Sequence, residues 1–204
     1  MVRARCAEQH LEEKLIATRS LAATPAPAAV TGSVYGALDA ALAERLHRRN
    51  PTCYLDFGPV SGAAATWLAF FDTGVLACPP PEDPPEDFNC DPELQRRLTA
   101  SLNGANRRNW YAHYQSGLFT FRAREWAVAA AHFTASLDCC ENPWARHGLA
   151  AVELEQGDPS AAATDIIKGL AMRRNDLSYA REAMLLLLRC GNRLAVVAEY
   201  RKLP

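Results

Sequence analysis

Residues 109–140, NWYAHYQSGLFTFRAREWAVAAAHFTASLDCC, and residues 142–175, NPWARHGLAAVELEQGDPSAAATDIIKGLAMRRN, share one spacing of small and apolar positions. Gly117, Ala129, Phe133, Ser136 and Leu137 return after 33 residues as Ala150, Ala162, Ile166, Gly169 and Leu170. A looser third copy, Met184, Val196, Tyr200 and Leu203, follows after 34. A period in this range marks stacked helix–turn–helix units. Small residues at Gly117 and Ala129, and again at Ala150 and Ala162, let paired helices approach closely. Phe133 and Ile166 would fill the hairpin interiors, while Ser136 and Gly169 leave room for the next unit. A single hairpin cannot bury its apolar face alone, so the units must stack. The alternative is an ordinary helical bundle with an accidental period.

The small–small–aromatic–small series, the turns before Trp126 and at Gly157-Asp158, and Leu137 with Leu170 resemble the tetratricopeptide repeat over the last half of the chain. Glu141 stands where that family has proline, with Pro143 two residues later, and Met184 and Val196 are large for close-packed positions. The resemblance implies an all-α, helical-hairpin solenoid of about three tetratricopeptide-like repeats, preceded by additional helices and a Pro-rich loop. It also implies a concave groove lined by the first helix of each hairpin. Tyr111, Tyr114, Leu118, Phe121 and Arg122 would come from the first hairpin, and Trp144, His147, Ala151, Leu154 and Glu155 from the second. Ser178, Arg181, Leu185, Leu188 and Arg189 would come from the third. Aromatic and arginine side chains are common interface anchors, although an aromatic stripe at helical spacing describes a core equally well. Trp110 and Trp126 are assigned to the core. In relatives that clamp a terminal carboxylate, Lys and Asn occupy groove positions that here carry Tyr114 and Leu118, so that use finds no support.

A narrower resemblance lies in Asn109-Trp110-Tyr111-Ala112, Asn142-Pro143-Trp144-Ala145 and the ending Leu203-Pro204. These look like the repeat arm of large uncharacterised bacterial proteins that carry a β-rich region resembling carbohydrate-processing enzymes. On that kinship the chain would be an accessory arm of a carbohydrate-active assembly, without its catalytic region.

Upstream, Pro79–Asp91 is dense in proline and acid. Proline removes backbone donors and like charges repel, which predicts an extended surface loop and a boundary between an N-terminal region, 1–90, and a repeat domain, 91–204. Asp91-Pro92 opens a helix running to about Leu102 as cap and first-turn proline. Asn142-Pro143 and Asp158-Pro159 read the same way. Expected helices span 109–122, 125–138, 143–155, 159–172, 177–190 and 193–202. Further upstream, Leu11, Leu15 and Ile16 fit a modest helix, and Ala22–Ala29 reads as a linker. Ser33 caps a helix carrying Leu38, Ala41, Leu42 and Leu46, stopped by Asn50-Pro51. Cys53–Phe57 is extended, and Ala63–Phe71 is an apolar helix.

The 204 residues are 49% hydrophobic with a net charge of −1, which predicts no general affinity for nucleic acid or membrane. Glu12, Glu13 and Lys14 exclude a signal peptide over Met1–Ser20. Seven cysteines without CxxC spacing read as reduced thiols of a cytoplasmic protein. Nucleotide-binding glycine loops, the nucleophile elbow and the HExxH signature are missing, and the five histidines do not converge. His132 with Cys139 or Cys140 is a conceivable metal pair, but ordinary surface or core roles fit better. The expectation is therefore a non-catalytic protein- or peptide-binding scaffold needing no cofactor. Nine Lys and Arg face thirteen Asp and Glu over 1–104, and thirteen face ten over 105–204. That asymmetry suggests that residues 82–91, or an external acidic segment like them, pair with Arg122, Arg181 and Arg189 in the groove. A solvated linker is the other reading of this segment.

Overall fold

The computed structural model describes residues 28–29, 34–48, 55–85 and 91–204. The expected helix near Leu11–Ile16, the caps at Ser33 and Asn50-Pro51, Cys53, Tyr54 and the segment 86–90 lie outside the described residues. What is described is helical, apart from a parallel ladder of two residues per strand, β1 (Ala28–Ala29) beside β2 (Leu55–Asp56). Two compact units are distinguished. One is built on the described parts of Met1–Leu76 and Glu86–Leu94, the other on Ala77–Pro85 with Gln95–Pro204.

In the first unit, α1 (Val34–Arg45) packs on α2 (Gly62–Thr73). Trp67 and Phe70 are buried edge to face, 6.0 Å between centroids. Arg45 forks onto Asp72 at 2.7 and 3.0 Å; both groups are solvated, so the pair contributes at most about 1 kcal/mol. Helix α3 (Pro92–Ser101) begins under its cap, with Asp91 Oδ1 accepting from the backbone N–H of Glu93 and Leu94.

The second unit runs through α4 (Trp110–Arg122), α5 (Trp126–Cys139), α6 (Pro143–Glu155), α7 (Pro159–Met172), α8 (Leu177–Arg189) and α9 (Arg193–Tyr200). Each packs on the next, and α4 also touches α6 directly. Five of these six starts have a shared cause, the exception being α5, where Glu125 makes no side-chain cap. Asn109, Asn142, Asp158, Asp176 and Asn192 each accept a hydrogen bond from the backbone N–H three residues on, between 2.8 and 3.1 Å. The hairpin turns repeat as well. Arg124, Gly157 and Gly191 adopt φ of 62°, 82° and 72°. The following N–H reaches back to Thr120, Glu153 and Leu187 in turn, so each first helix closes with the same left-handed stop.

Phe133 is fully buried where α5 meets both α4 and α6. A Cβ on Gly117 or on Gly148 would lie 2.6 Å from its ring, so both neighbouring helices carry glycine where the aromatic edge enters. Ser136 ties three segments together: its hydroxyl donates to Trp110 O at 2.8 Å and accepts from the Asn142 amide at 3.2 Å. At the matching place in the next pair, Gly169 leaves the space into which Tyr179 projects, and the Tyr179 hydroxyl donates to Pro143 O at 2.8 Å. The carbonyl at corresponding positions, 110 and 143, is thus satisfied once by Ser136 and once by Tyr179.

The third pair departs from the expected spacing. Ala183, fully buried, stands at the close-packed place expected for Met184, and Met184, Val196 and Leu203 only flank the cluster. Tyr200 is 70% exposed, while Glu199 is buried and bonded to Arg174 and Lys202. The connection from α7 to α8 is one residue longer than that from α5 to α6, so caps fall 34 apart while the buried face keeps 33. Trp126, expected in the core, is half-buried; its ring lies against Phe121, 5.1 Å between centroids.

Candidate functional site

Three prolines in succession, Pro79-Pro80-Pro81, can offer carbonyl acceptors but no backbone N–H. In the second unit they run beside the starts of α4 and α6, where two tryptophans stand 34 residues apart. The Trp110 indole N–H donates to Pro79 O at 2.9 Å, and the Trp144 indole N–H donates to Pro81 O at 3.0 Å. Arg173, just after α7, donates to Glu82 O. The segment then turns, with Asp83 N–H donating to Pro80 O at 3.1 Å and proline at the favoured second position of the turn.

The receiving side chains are held from behind. The Arg173 guanidinium stacks over the Trp144 ring, 4.7 Å from its centroid, and forks onto Asp176 at 2.7 and 3.2 Å. The Asp176 carboxyl lies below its ordinary pKa because it accepts the Tyr179 backbone N–H and then because of Arg173. It therefore stays ionised and keeps the guanidinium in place. Trp144 meets Tyr179 edge-on, 5.5 Å between centroids. Beside the strap, Pro81, Glu82, Glu141, Pro143, Met172 and Arg173 line a shallow cleft. Arg146 anchors one wall, reaching Glu141 at 2.6 and 2.8 Å and the buried Asp165 at 2.5 Å.

The residues expected in the groove divide. Tyr111 is buried beside Trp110, 5.5 Å between rings, and belongs to the core, because α4 turns that side chain inward. Tyr114, Leu118 and Phe121 are half-buried against the Phe133 cluster. Trp144 and His147 both meet Tyr179. Arg122, Arg181, Leu185 and Arg189 are exposed, and Arg189 reaches Glu155 at 3.3 Å. The acidic segment meets Arg173 through a backbone carbonyl, and the expected part at 86–90 lies outside the described residues.

Glu182, not anticipated from sequence, influences Tyr114, His147 and Tyr179. Burial pushes both phenols up, and it pushes His147 down against the opposing effect of Glu182, leaving a neutral imidazole at pH 7. Arg173 was likewise unanticipated; its signal was the basic pair Arg173-Arg174 between two helix patterns. Among the described residues no group of three His, Cys, Asp or Glu could hold a metal ion, and no helix is long and apolar enough to cross a membrane. No protein-family model matches the chain, and no curated protein or solved structure matches it either.

Proposed function

We propose that this chain is a non-catalytic scaffold that holds an extended peptide or protein segment on an array of tetratricopeptide-like hairpins. The observation that carries the reading is the strap itself: Pro79, Pro81 and Glu82 are taken by side-chain donors from α4, from α6 and from the turn after α7. A surface that fixes proline-rich, non-helical backbone of its own chain has the chemistry to fix that of another. The regular caps, the three left-handed turns and the Phe133 packing support the solenoid assignment. The test is a fluorescence screen of overlapping peptides against the intact chain. Saturable binding of a subset, weakened by substitutions at Trp144 or His147, supports the reading. Binding absent both from the intact chain and from one whose Pro79–Glu82 strap has been loosened sinks it.

A further inference from the structure

Resting on that scaffold reading, we propose that Trp110, Trp144 and Arg173 form a reader of proline carbonyls whose partner is a proline-rich acidic segment of another protein, admitted when Pro79–Glu82 leaves. The chemistry on the two sides is complementary in an unusual way. Indole and guanidinium carry donors and no acceptor, while a prolyl backbone carries an acceptor and no donor. A proline-rich occupant thus leaves no N–H to be desolvated against this surface. An ordinary segment would bury donors that the two indoles and Arg173 cannot satisfy.

Spacing adds to the selection. Trp110 and Trp144 sit on α4 and α6, which touch, and they take carbonyls two residues apart. In a polyproline conformation these are separated by about 6 Å along the chain, whereas a helix would bring them within about 3 Å. The pair therefore suits backbone that runs outside helix through Pro79-Pro80 and turns at Pro81-Glu82, a path for which the fixed φ of proline is prepared at small entropic cost.

The site is also built without help from the strap. Arg173 is fixed by Asp176 and by the Trp144 face, Trp144 by Tyr179, and Tyr179 by Pro143 O. Pro80, Glu82, Asp83 and Pro84 are exposed, so the strap is held along one side only. Its sequence, Pro81-Glu82-Asp83-Pro84-Pro85-Glu86-Asp87, repeats Pro-Glu-Asp, which defines the composition to seek in the partner. The guanidinium and the excess of basic residues over 105–204 favour that acidity.

The experiment uses the full chain and a fluorescein-labelled peptide of sequence ACPPPEDPPED, that of residues 77–87. A tethered strap lowers the apparent affinity for a free peptide by the fraction of open sites. The variant Pro79→Gly/Pro80→Ser/Pro81→Gly, which loosens the strap, is expected to bind at least about tenfold tighter than the natural chain. Adding Trp144→Phe, which keeps an aromatic ring and deletes the donor, is expected to weaken binding by roughly tenfold, with the helical circular dichroism unchanged. Alanine in place of the peptide's prolines is expected to weaken it similarly. The proposal is overturned if the loosened chain does not bind the peptide, or if binding ignores both Trp144→Phe and the loss of prolines. The overlapping-peptide screen run on the same loosened chain separates the two failures. If other peptides bind and this one does not, the reader is refuted and the scaffold stands; if none binds, both fall.

Discussion

Alanine at position 148 ought to improve α6, since alanine is about 1 kcal/mol better than glycine inside a helix. The structure reverses that sign. The added Cβ would lie 2.6 Å from both Cε1 and Cζ of Phe133, well inside van der Waals contact. The ring has no room to retreat, because it is fully buried and α4 lies so close to the same edge that a Cβ at Gly117 would also fall 2.6 Å from it. Overpacking of this kind costs about 1–3 kcal/mol, so Gly148→Ala is expected to destabilise by a net ~0–2 kcal/mol. Removing the ring changes the outcome. Phe133→Ala alone costs about 3–5 kcal/mol, but in that background Gly148→Ala no longer meets the ring and is expected to stabilise by about 1 kcal/mol. The coupling between the two sites is therefore about 1–3 kcal/mol. Urea denaturation followed by circular dichroism at 222 nm measures all four corners of the cycle. The packing described here is refuted if Gly148→Ala has the same effect with and without Phe133.

Three shorter predictions follow from other parts of the array. Arg124 holds φ of 62° where the sister turns have Gly157 and Gly191, so Arg124→Gly is expected to stabilise by about 1 kcal/mol in the same urea assay; destabilisation would mean the three turns differ. Arg146→Leu removes the close partner of the buried Asp165 carboxylate, leaving it only Lys168 at 4.0 Å, and is expected to cost up to about 3–5 kcal/mol, whereas Glu141→Gln, at the solvated end of the network, is expected to cost under about 1 kcal/mol. Burial, and then Asp165, raise the Glu153 carboxyl to about 7. The folded state thus holds that proton more tightly than the unfolded chain, and the stability it contributes is complete below about pH 4.5 and is lost as pH rises towards 7. His132 and His147, kept neutral by burial, slope the other way, so the informative quantity is the difference between Glu153→Gln and the natural chain. That difference in melting temperature is expected to grow from pH 5 to pH 8, and a constant difference would contradict the shift.

The helix pairs were legible because their signals are local. Asn and Asp caps, first-turn prolines and the recurrence from Gly117 to Ala150 require no knowledge of distant contacts. The third pair was misplaced by one residue because a longer turn before α8 separates cap spacing from face spacing, and cap spacing is the easier to see. Tyr111 and Tyr114 show the limit for the site. Both fit the expected stripe, yet one faces the core and the other is half-covered, a choice made by where α6 and α5 lie. The strap was missed for a related reason. Composition suggested an acidic segment paired with Arg122, Arg181 and Arg189, whereas the described contact is from Arg173 to a backbone carbonyl, and the hydrogen bonds from Trp110 and Trp144 to Pro79 and Pro81 join positions 31 and 63 apart. No local pattern marks such a pairing.

Hydrogen exchange of the indole N–H groups in a ¹⁵N–¹H spectrum of the intact chain reports directly whether Trp110 and Trp144 grip the carbonyls of Pro79 and Pro81. Assignment by single Trp→Phe substitutions identifies the signals of Trp110 and Trp144. Both are expected to exchange slowly, and Pro79→Gly/Pro80→Ser/Pro81→Gly is expected to speed both while leaving Trp67, buried in the first unit, unchanged. Exchange at Trp110 and Trp144 as fast as that of a solvated indole, or protection indifferent to the strap, would contradict that grip.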